Sequence, residues 1–169
     1  MNFDDVHKEI DIDYSFDVSG SIDPDRKMTS KISLWLQENL ENLTDDNGDI
    51  IFNKVNFGYN ENSLKALGNK PVCDVYVNNV EYSEDFDEYP AESVHSIILF
   101  YMKGANNKSY LKACDLHDYL IQEFIKNRAF KFLEDTVKDT LILNSELMNQ
   151  PINKKWGVMG ALELSHILY

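Results

Sequence analysis

The sequence predicts an α+β fold: a mostly antiparallel sheet of about four to five strands with two main helices packed on one face. Two observations predict this class. Apolar residues recur at helical spacing over residues 29–43 and 108–127, whereas elsewhere they alternate or run continuously, as is typical of strands. Three strand segments follow one another between the two helices, and this order favours an α+β sheet over a regularly alternating parallel one.

The chain length of 169 residues fits one domain, and its acidic beginning predicts an arm in front of that domain. We assign residues 1–27 to an acidic N-terminal arm and residues 28–169 to a single α+β domain. Residues 1–25 hold eight acids against Lys8 alone, so they supply over half of the net charge of −13. Alternating apolar residues over 10–18 permit one strand in the arm, and an arm without regular structure is the alternative.

The first predicted helix covers residues 29–43, with Thr29 or Ser30 as its cap. A turn-rich segment then leads to a predicted strand over residues 50–59. Residues 61–67 permit one short helical turn. The apolar stripe of the first helix comprises Ile32, Trp35, Leu36, Leu40 and Leu43.

A pair of strands follows. Residues 71–82 alternate, whereas residues 92–104 are more continuously apolar, which predicts a central strand covered on both faces. The second and principal helix covers residues 108–127, and residues 136–150 form a further strand. The apolar stripe of this helix comprises Tyr110, Ala113, Cys114, His117, Leu120, Ile121 and Phe124.

The segment WGVMGALELSHILY, residues 156–169, predicts the last strand of the sheet. An antiparallel hairpin with residues 136–150 would tie it down. Gly157 and Gly160 weaken a strand unless a neighbouring group comes close, so we expect a bulge or tight packing there. Because strand side chains alternate, one face should pack against the helices: Val158, Gly160, Leu162, Leu164, His166 and Leu168.

The chemistry-bearing residues form no established catalytic or nucleotide-binding motif. Cys114 and His117 are spaced for one helix face, but a zinc site needs two more ligands, which Cys73, His95 or His166 would have to supply through tertiary folding. Core packing is the favoured interpretation. A Cys–His nucleophile is disfavoured because its thiol would lie on the packing face. We therefore expect no catalytic residue, no cofactor and no metal.

An acidic segment between two predicted strands is the candidate contact site. Exposed aromatic residues among acids suit an interface, so the segment either lines a channel or contacts a partner, and a solvated hairpin tip is the alternative. The carboxylate pairs Asp85/Asp87 and Asp115/Asp118 invite an acid–base role, but a chain with 29 acids places such pairs on solvated faces by chance. The residues of the candidate site are Glu81, Glu84, Asp85, Phe86, Asp87, Glu88 and Tyr89.

Several features point to an intracellular protein. The acidic beginning carries no apolar run of signal-peptide length, and no stretch approaches the length of a membrane span. Two thiols at Cys73 and Cys114 are favoured over one disulfide. The net charge of −13 repels phosphate, so we do not expect the chain to wrap nucleic acid tightly.

Four stretches together resemble the tail terminator and related head–tail joining proteins of long-tailed bacteriophages. They are the ending NKKWGVMGALELSHILY, the first helix SKISLWLQENL, the central strand HSIILFYMKG and the helix YLKACDLHDYLIQEF. By element order the resemblance covers residues 28–169 and leaves out the acidic arm.

The resemblance implies a structural virion protein of the tail or neck, not an enzyme, that assembles in the host cytoplasm. Such a protein would form a ring, with a hexamer favoured, that ends tail-tube polymerisation and docks to the head connector. DNA would pass through the ring without specific binding. Three alternatives stay open: another neck component such as a head-completion adaptor, an intracellular enzyme or binding domain, and an acidic inhibitor that mimics DNA.

Overall fold

The computed structural model describes residues 28–58, 68–83, 91–104, 106–152 and 155–169. The predicted arm and the predicted helical turn at 61–67 lie outside these residues. The elements are helix α1 (Met28–Glu41), strands β1 (Lys54–Phe57), β2 (Val72–Tyr82) and β3 (Ala91–Lys103), helices α2 (Asn107–Lys126) and α3 (Arg128–Lys131), and strands β4 (Val137–Ile152) and β5 (Lys155–Leu168). The order of helices and strands agrees with the predicted α+β fold.

The five described strands form one sheet in the order β1-β2-β3-β5-β4. β1 pairs with β2 in parallel, and the other three pairs are antiparallel. β3 lies in the middle, which confirms the predicted central strand. β5 lies between β3 and β4, so the last strand is an inner strand with neighbours on both sides.

Both main helices pack on the same face of the sheet, as predicted. Ile32, Leu36 and Leu40 of α1 are fully buried, and α2 buries its apolar side chains in the same core. Asn106 caps α2 by accepting a hydrogen bond from the Ser109 backbone N–H at 2.9 Å.

The helix predictions were wrong in three details. α1 begins at Met28, so Thr29 and Ser30 lie inside its first turn instead of capping it. Tyr110 is exposed and is not part of the buried stripe of α2. It lies in the first turn of the helix, before Ala113, the first buried residue of α2. Leu116 is buried although the predicted stripe omitted it.

The predicted two-faced pattern of β5 is confirmed. Val158, Leu162 and Leu164 are buried in the core beneath the helices, and the intervening residues lie on the opposite face. The close approach expected at the glycines is found at Gly160. It pairs with Phe100 of β3, and a Cβ atom added to it would overlap the Phe100 ring.

The sheet face opposite the helices carries a smaller apolar cluster around Leu99 and Tyr101. Next to this cluster Asp74 is fully buried, and Asn56 Nδ2 donates to Asp74 Oδ1 at 3.2 Å. Strand alternation correctly predicts that Asp74 and its neighbour Cys73 lie on opposite faces of the sheet, with Cys73 facing the helices. The burial of a carboxylate on this face was not predicted.

Candidate functional site

The acidic segment predicted to line a channel is described only at its first residue. Glu84, Asp85, Phe86, Asp87, Glu88 and Tyr89 lie outside the described residues. Glu81 stands near the end of β2, opposite Ser93 of β3, and its side chain is 54% exposed. The Ser93 hydroxyl donates to Glu81 Oε2 at 3.0 Å, which holds this carboxylate near the point where the chain leaves β2.

Glu81, Ser93 and His95 bring together the residue types of a hydrolytic relay. His95 Nε2 lies 3.4 Å from Ser93 Oγ and 3.6 Å from Glu81 Oε1. A relay needs the serine on one ring nitrogen and the carboxylate on the other. Here the serine and the carboxylate both approach Nε2. The Ser93 hydroxyl donates its hydrogen bond to Glu81, so Nε2 has to donate to Ser93 and is not a base toward it. The cluster joins two strands and does not activate a nucleophile.

A second polar cluster lies inside the core, on the helix side of the sheet. Ser96 Oγ lies 2.6 Å from His166 Nε2, and Thr140 Oγ1 lies 3.0 Å from His166 Nδ1. The Trp35 ring packs edge-on against the imidazole at 5.6 Å between centroids. The three polar residues come from the three antiparallel neighbours β3, β5 and β4, and sequence analysis assigned them no common role.

The hydrogen bonds fix the protons of this buried cluster. Thr140 Oγ1 donates to the Lys131 carbonyl at 3.3 Å, so it accepts from His166 Nδ1–H, and Nε2 is left to accept from Ser96. Burial, with a smaller contribution from the His95 charge, lowers the pKa of His166 to about 3. Ser96 and His166 are fully buried and out of reach of any substrate, so the cluster fastens three strands together. The signal that could have revealed it is His166 itself, a polar residue on the predicted buried face of β5.

The neutral state of His166 makes stability depend on pH. In the unfolded chain the imidazole of His166 is protonated below about pH 6.5. In the folded protein it stays neutral down to about pH 3. The contribution of neutral His166 to the free energy of unfolding is therefore complete above about pH 6.5. It falls by about 1.4 kcal/mol per pH unit as the pH drops toward 3. Urea denaturation at pH 7.0 and lower should show this slope in the wild type but not in His166→Gln. The carboxylates titrate in both proteins, so the difference between the two curves isolates His166, and parallel curves would contradict the assignment.

Cys114 and His117, the predicted candidates for a metal or thiolate site, both lie on α2. His117 is buried with its Nδ1 3.5 Å from Asp118 Oδ1, and Cys114 is partly exposed. Within the described ranges, no group of three or more His, Cys, Asp or Glu side chains is placed to hold a metal ion. Burial, together with the Asp74 charge, raises the pKa of the Cys73 thiol well above its usual value, so that thiol stays protonated.

Asp115 borders an open cleft of about 860 Å³, lined by both charged and apolar side chains, between the loop after α1 and the first half of α2. Asp45 Oδ1 accepts hydrogen bonds from the N–H groups of Asn47 and Asp49 at 2.8 and 3.0 Å, so this carboxylate shapes the loop. Asp115 and Asp118 are both exposed to solvent. The predicted interpretation of this pair as a solvated face agrees with that exposure.

The outer strand β4 presents apolar side chains to solvent. Leu141, Leu143 and Met148 are 47%, 49% and 37% exposed. The pairing between β4 and β5 shifts between Ile142 and Asn144, so Leu143 has no partner in β5. Residues 140–145 carry no charge, although the chain carries 29 acids. An uncharged stretch of an outer strand that exposes leucines is typical of a surface that another molecule covers.

The opposite edge of the sheet carries an open apolar groove of about 310 Å³. It lies between the first turns of α1 and the strands β1 and β2. Phe57, at the end of β1, is 43% exposed beside it. None of the described lining residues is charged: Thr29, Ser30, Ser33, Leu34, Phe57, Gly58, Val75, Tyr76 and Val77. Each edge of the sheet therefore carries an uncharged apolar surface, and the two surfaces differ in shape.

Comparison with known proteins gives no family assignment, because no protein-family model and no curated protein matches the chain. Among the helices that the structure describes, none combines the length and apolar character needed to cross a membrane.

Proposed function

We propose that this protein is a tail terminator of a long-tailed bacteriophage, a structural virion protein that forms a ring between the tail tube and the head connector. The order of helices and strands carries the proposal. A helix, three strands, a second helix and a closing hairpin follow one another as in the resemblance to these proteins, and both main helices cover one face of the sheet. Another head–tail connector or neck adaptor is the nearest alternative.

The geometry of the polar clusters favours a structural role over an enzymatic one. Ser93, His95 and Glu81 converge on a single ring nitrogen, so the histidine cannot act as a base toward the serine. The Ser96–His166 pair has the contact a nucleophile needs but is sealed in the core. Each cluster connects neighbouring strands, and a rigid sheet is what a ring subunit requires.

The negative net charge of the chain suits the wall of a channel through which DNA moves without binding. A net charge of −13 repels phosphate, and the segment beginning at Glu81 concentrates acids after β2. We place this segment at the lumen of the ring, with the arm of residues 1–25 as the alternative. Partners are copies of the chain itself, in a hexamer, together with the tail-tube protein and the head connector, and DNA passes without specific binding.

The ring is tested by the mass of the purified protein and by electron microscopy. We expect particles several times the chain mass of 19.6 kDa, with a closed outline and a central hole. Acids crowded around a lumen repel one another, so closure should increase as salt screens exposed charges over about 8–10 Å at roughly 0.1–0.15 M. The tail tube or connector can also serve as the template for closure, so a protein that stays at the mass of one chain at every salt concentration and forms no ring on either would contradict the proposal.

A further inference from the structure

The two edges of the sheet differ, and each leaves an apolar surface uncovered. At one edge lie the exposed leucines of β4, at the other the groove between α1 and the end of β1. In the sheet order these edges are four strand spacings apart, about 19 Å at the usual spacing. Subunits that join two different surfaces pack head to tail and close into a ring when the rotation allows.

The distribution of charge favours a second copy of this chain as the partner of both surfaces. Two copies of a chain with net charge −13 repel each other wherever acids meet. Residues 140–145 of β4 and all described residues lining the groove are uncharged. Two acids flank this stretch: Asp139 is paired with Lys131 Nζ at 3.1 Å, and exposed Glu146 accepts a hydrogen bond from Asn144 Nδ2 at 3.4 Å. These two uncharged surfaces therefore let copies approach without a charge at the centre of the contact, where burying a charge would be costly.

The shape of β4 decides the mode of contact. A register shift on an outer strand interrupts its regular backbone edge and hinders the addition of another strand. The shift between Ile142 and Asn144 does this while leaving Leu143 exposed. Contact through side chains, with leucines entering an apolar groove, suits such an edge better than strand pairing.

We propose that Leu141 and Leu143 of one copy dock into the groove beside Phe57 of the next, and that this contact builds the ring. This inference rests on the proposed function, since it names the surfaces that join the subunits. A second copy of this chain is the occupant of the groove, and the contact is heterologous: each copy supplies the leucines on one side and the groove on the other.

Paired variants test the contact. Leu143→Asp should destroy the leucine surface and leave the groove intact, whereas Phe57→Asp should do the reverse. Each variant alone should stay at 19.6 kDa, and mixing them should give a one-to-one complex of about twice that mass, because only one intact contact remains. Ser30→Arg, which fills the groove without removing a core side chain, should behave like Phe57→Asp. Leu111→Asp, at a leucine on α2 that is 60% exposed, is the control and should assemble like the wild type.

The outcomes separate this contact from the ring itself. If Phe57→Asp assembles like the wild type, or if Leu143→Asp and Phe57→Asp mixed remain single chains, the proposed contact is overturned even where the wild type forms rings. If Leu143→Asp alone is monomeric but Phe57→Asp alone dimerises, β4 pairs with itself and the groove is not its partner. If the wild type never assembles, the contact and the proposed function fail together.

Discussion

Deleting residues 162–169 should abolish the folded state. Leu162 and Leu164 are fully buried and Leu168 is nearly so, all in the core beneath the helices. Truncation of one buried leucine typically costs about 2–5 kcal/mol, and the total stability of a domain is typically about 5–15 kcal/mol. The deletion also removes the C-terminal half of β5, the strand that joins β4 to β3 in the sheet of the described residues.

Circular dichroism and urea denaturation measure this effect. The deletion variant should lack a cooperative transition or be insoluble. Removal of Tyr169 alone is the control, because this residue is 68% exposed and contacts Phe132 only edge-on at 6.2 Å between ring centroids. A deletion variant with an unchanged cooperative transition would show that the segment is not part of the core.

A side chain at position 160 should strongly destabilise the protein. Gly160 lies opposite Phe100 in the ladder between β3 and β5, and the Phe100 ring occupies the space that a Cβ atom would need. Overpacking of this kind typically costs about 1–3 kcal/mol, and Gly160→Val should exceed Gly160→Ala.

A double variant identifies the cause of this loss. Phe100→Leu should cost stability in the wild type but recover part of the loss in Gly160→Val, since the two residues share the same space. Gly68→Ala is the matched control, because nothing lies within 4 Å of the added atom. Equal losses for Gly160→Ala and Gly68→Ala in urea denaturation would show that the ring is not the obstacle.

The sequence predicted those features that a local pattern determines. In β5, leucines at alternate positions identify the buried face, because a shift by one residue would move every leucine to the other face. The apolar repeat of α1 identified Ile32, Leu36 and Leu40 in the same way. The continuous apolar run of β3 indicated a central strand because both of its faces are covered.

Other features depend on partners distant in the chain. The parallel pairing of β1 with β2 leaves no local trace, since a strand does not encode its neighbour. Asp74 alternates like an exposed residue and is buried beside Asn56. Ser96 and His166 are 70 residues apart, so only the fold brings them within 2.6 Å. The groove beside Phe57 likewise exists only after α1 packs on the sheet.

The effect on tail-tube assembly tests the central claim most directly. The protein is added to polymerising tail-tube protein from the same phage, and tube lengths are measured by electron microscopy. A terminator should arrest elongation, shorten the tubes as its concentration rises and appear as a ring at one tube end, whereas Leu143→Asp should lose this activity and Leu111→Asp should keep it. Tubes of unchanged length with no ring at either end would contradict the proposal that this protein is a tail terminator.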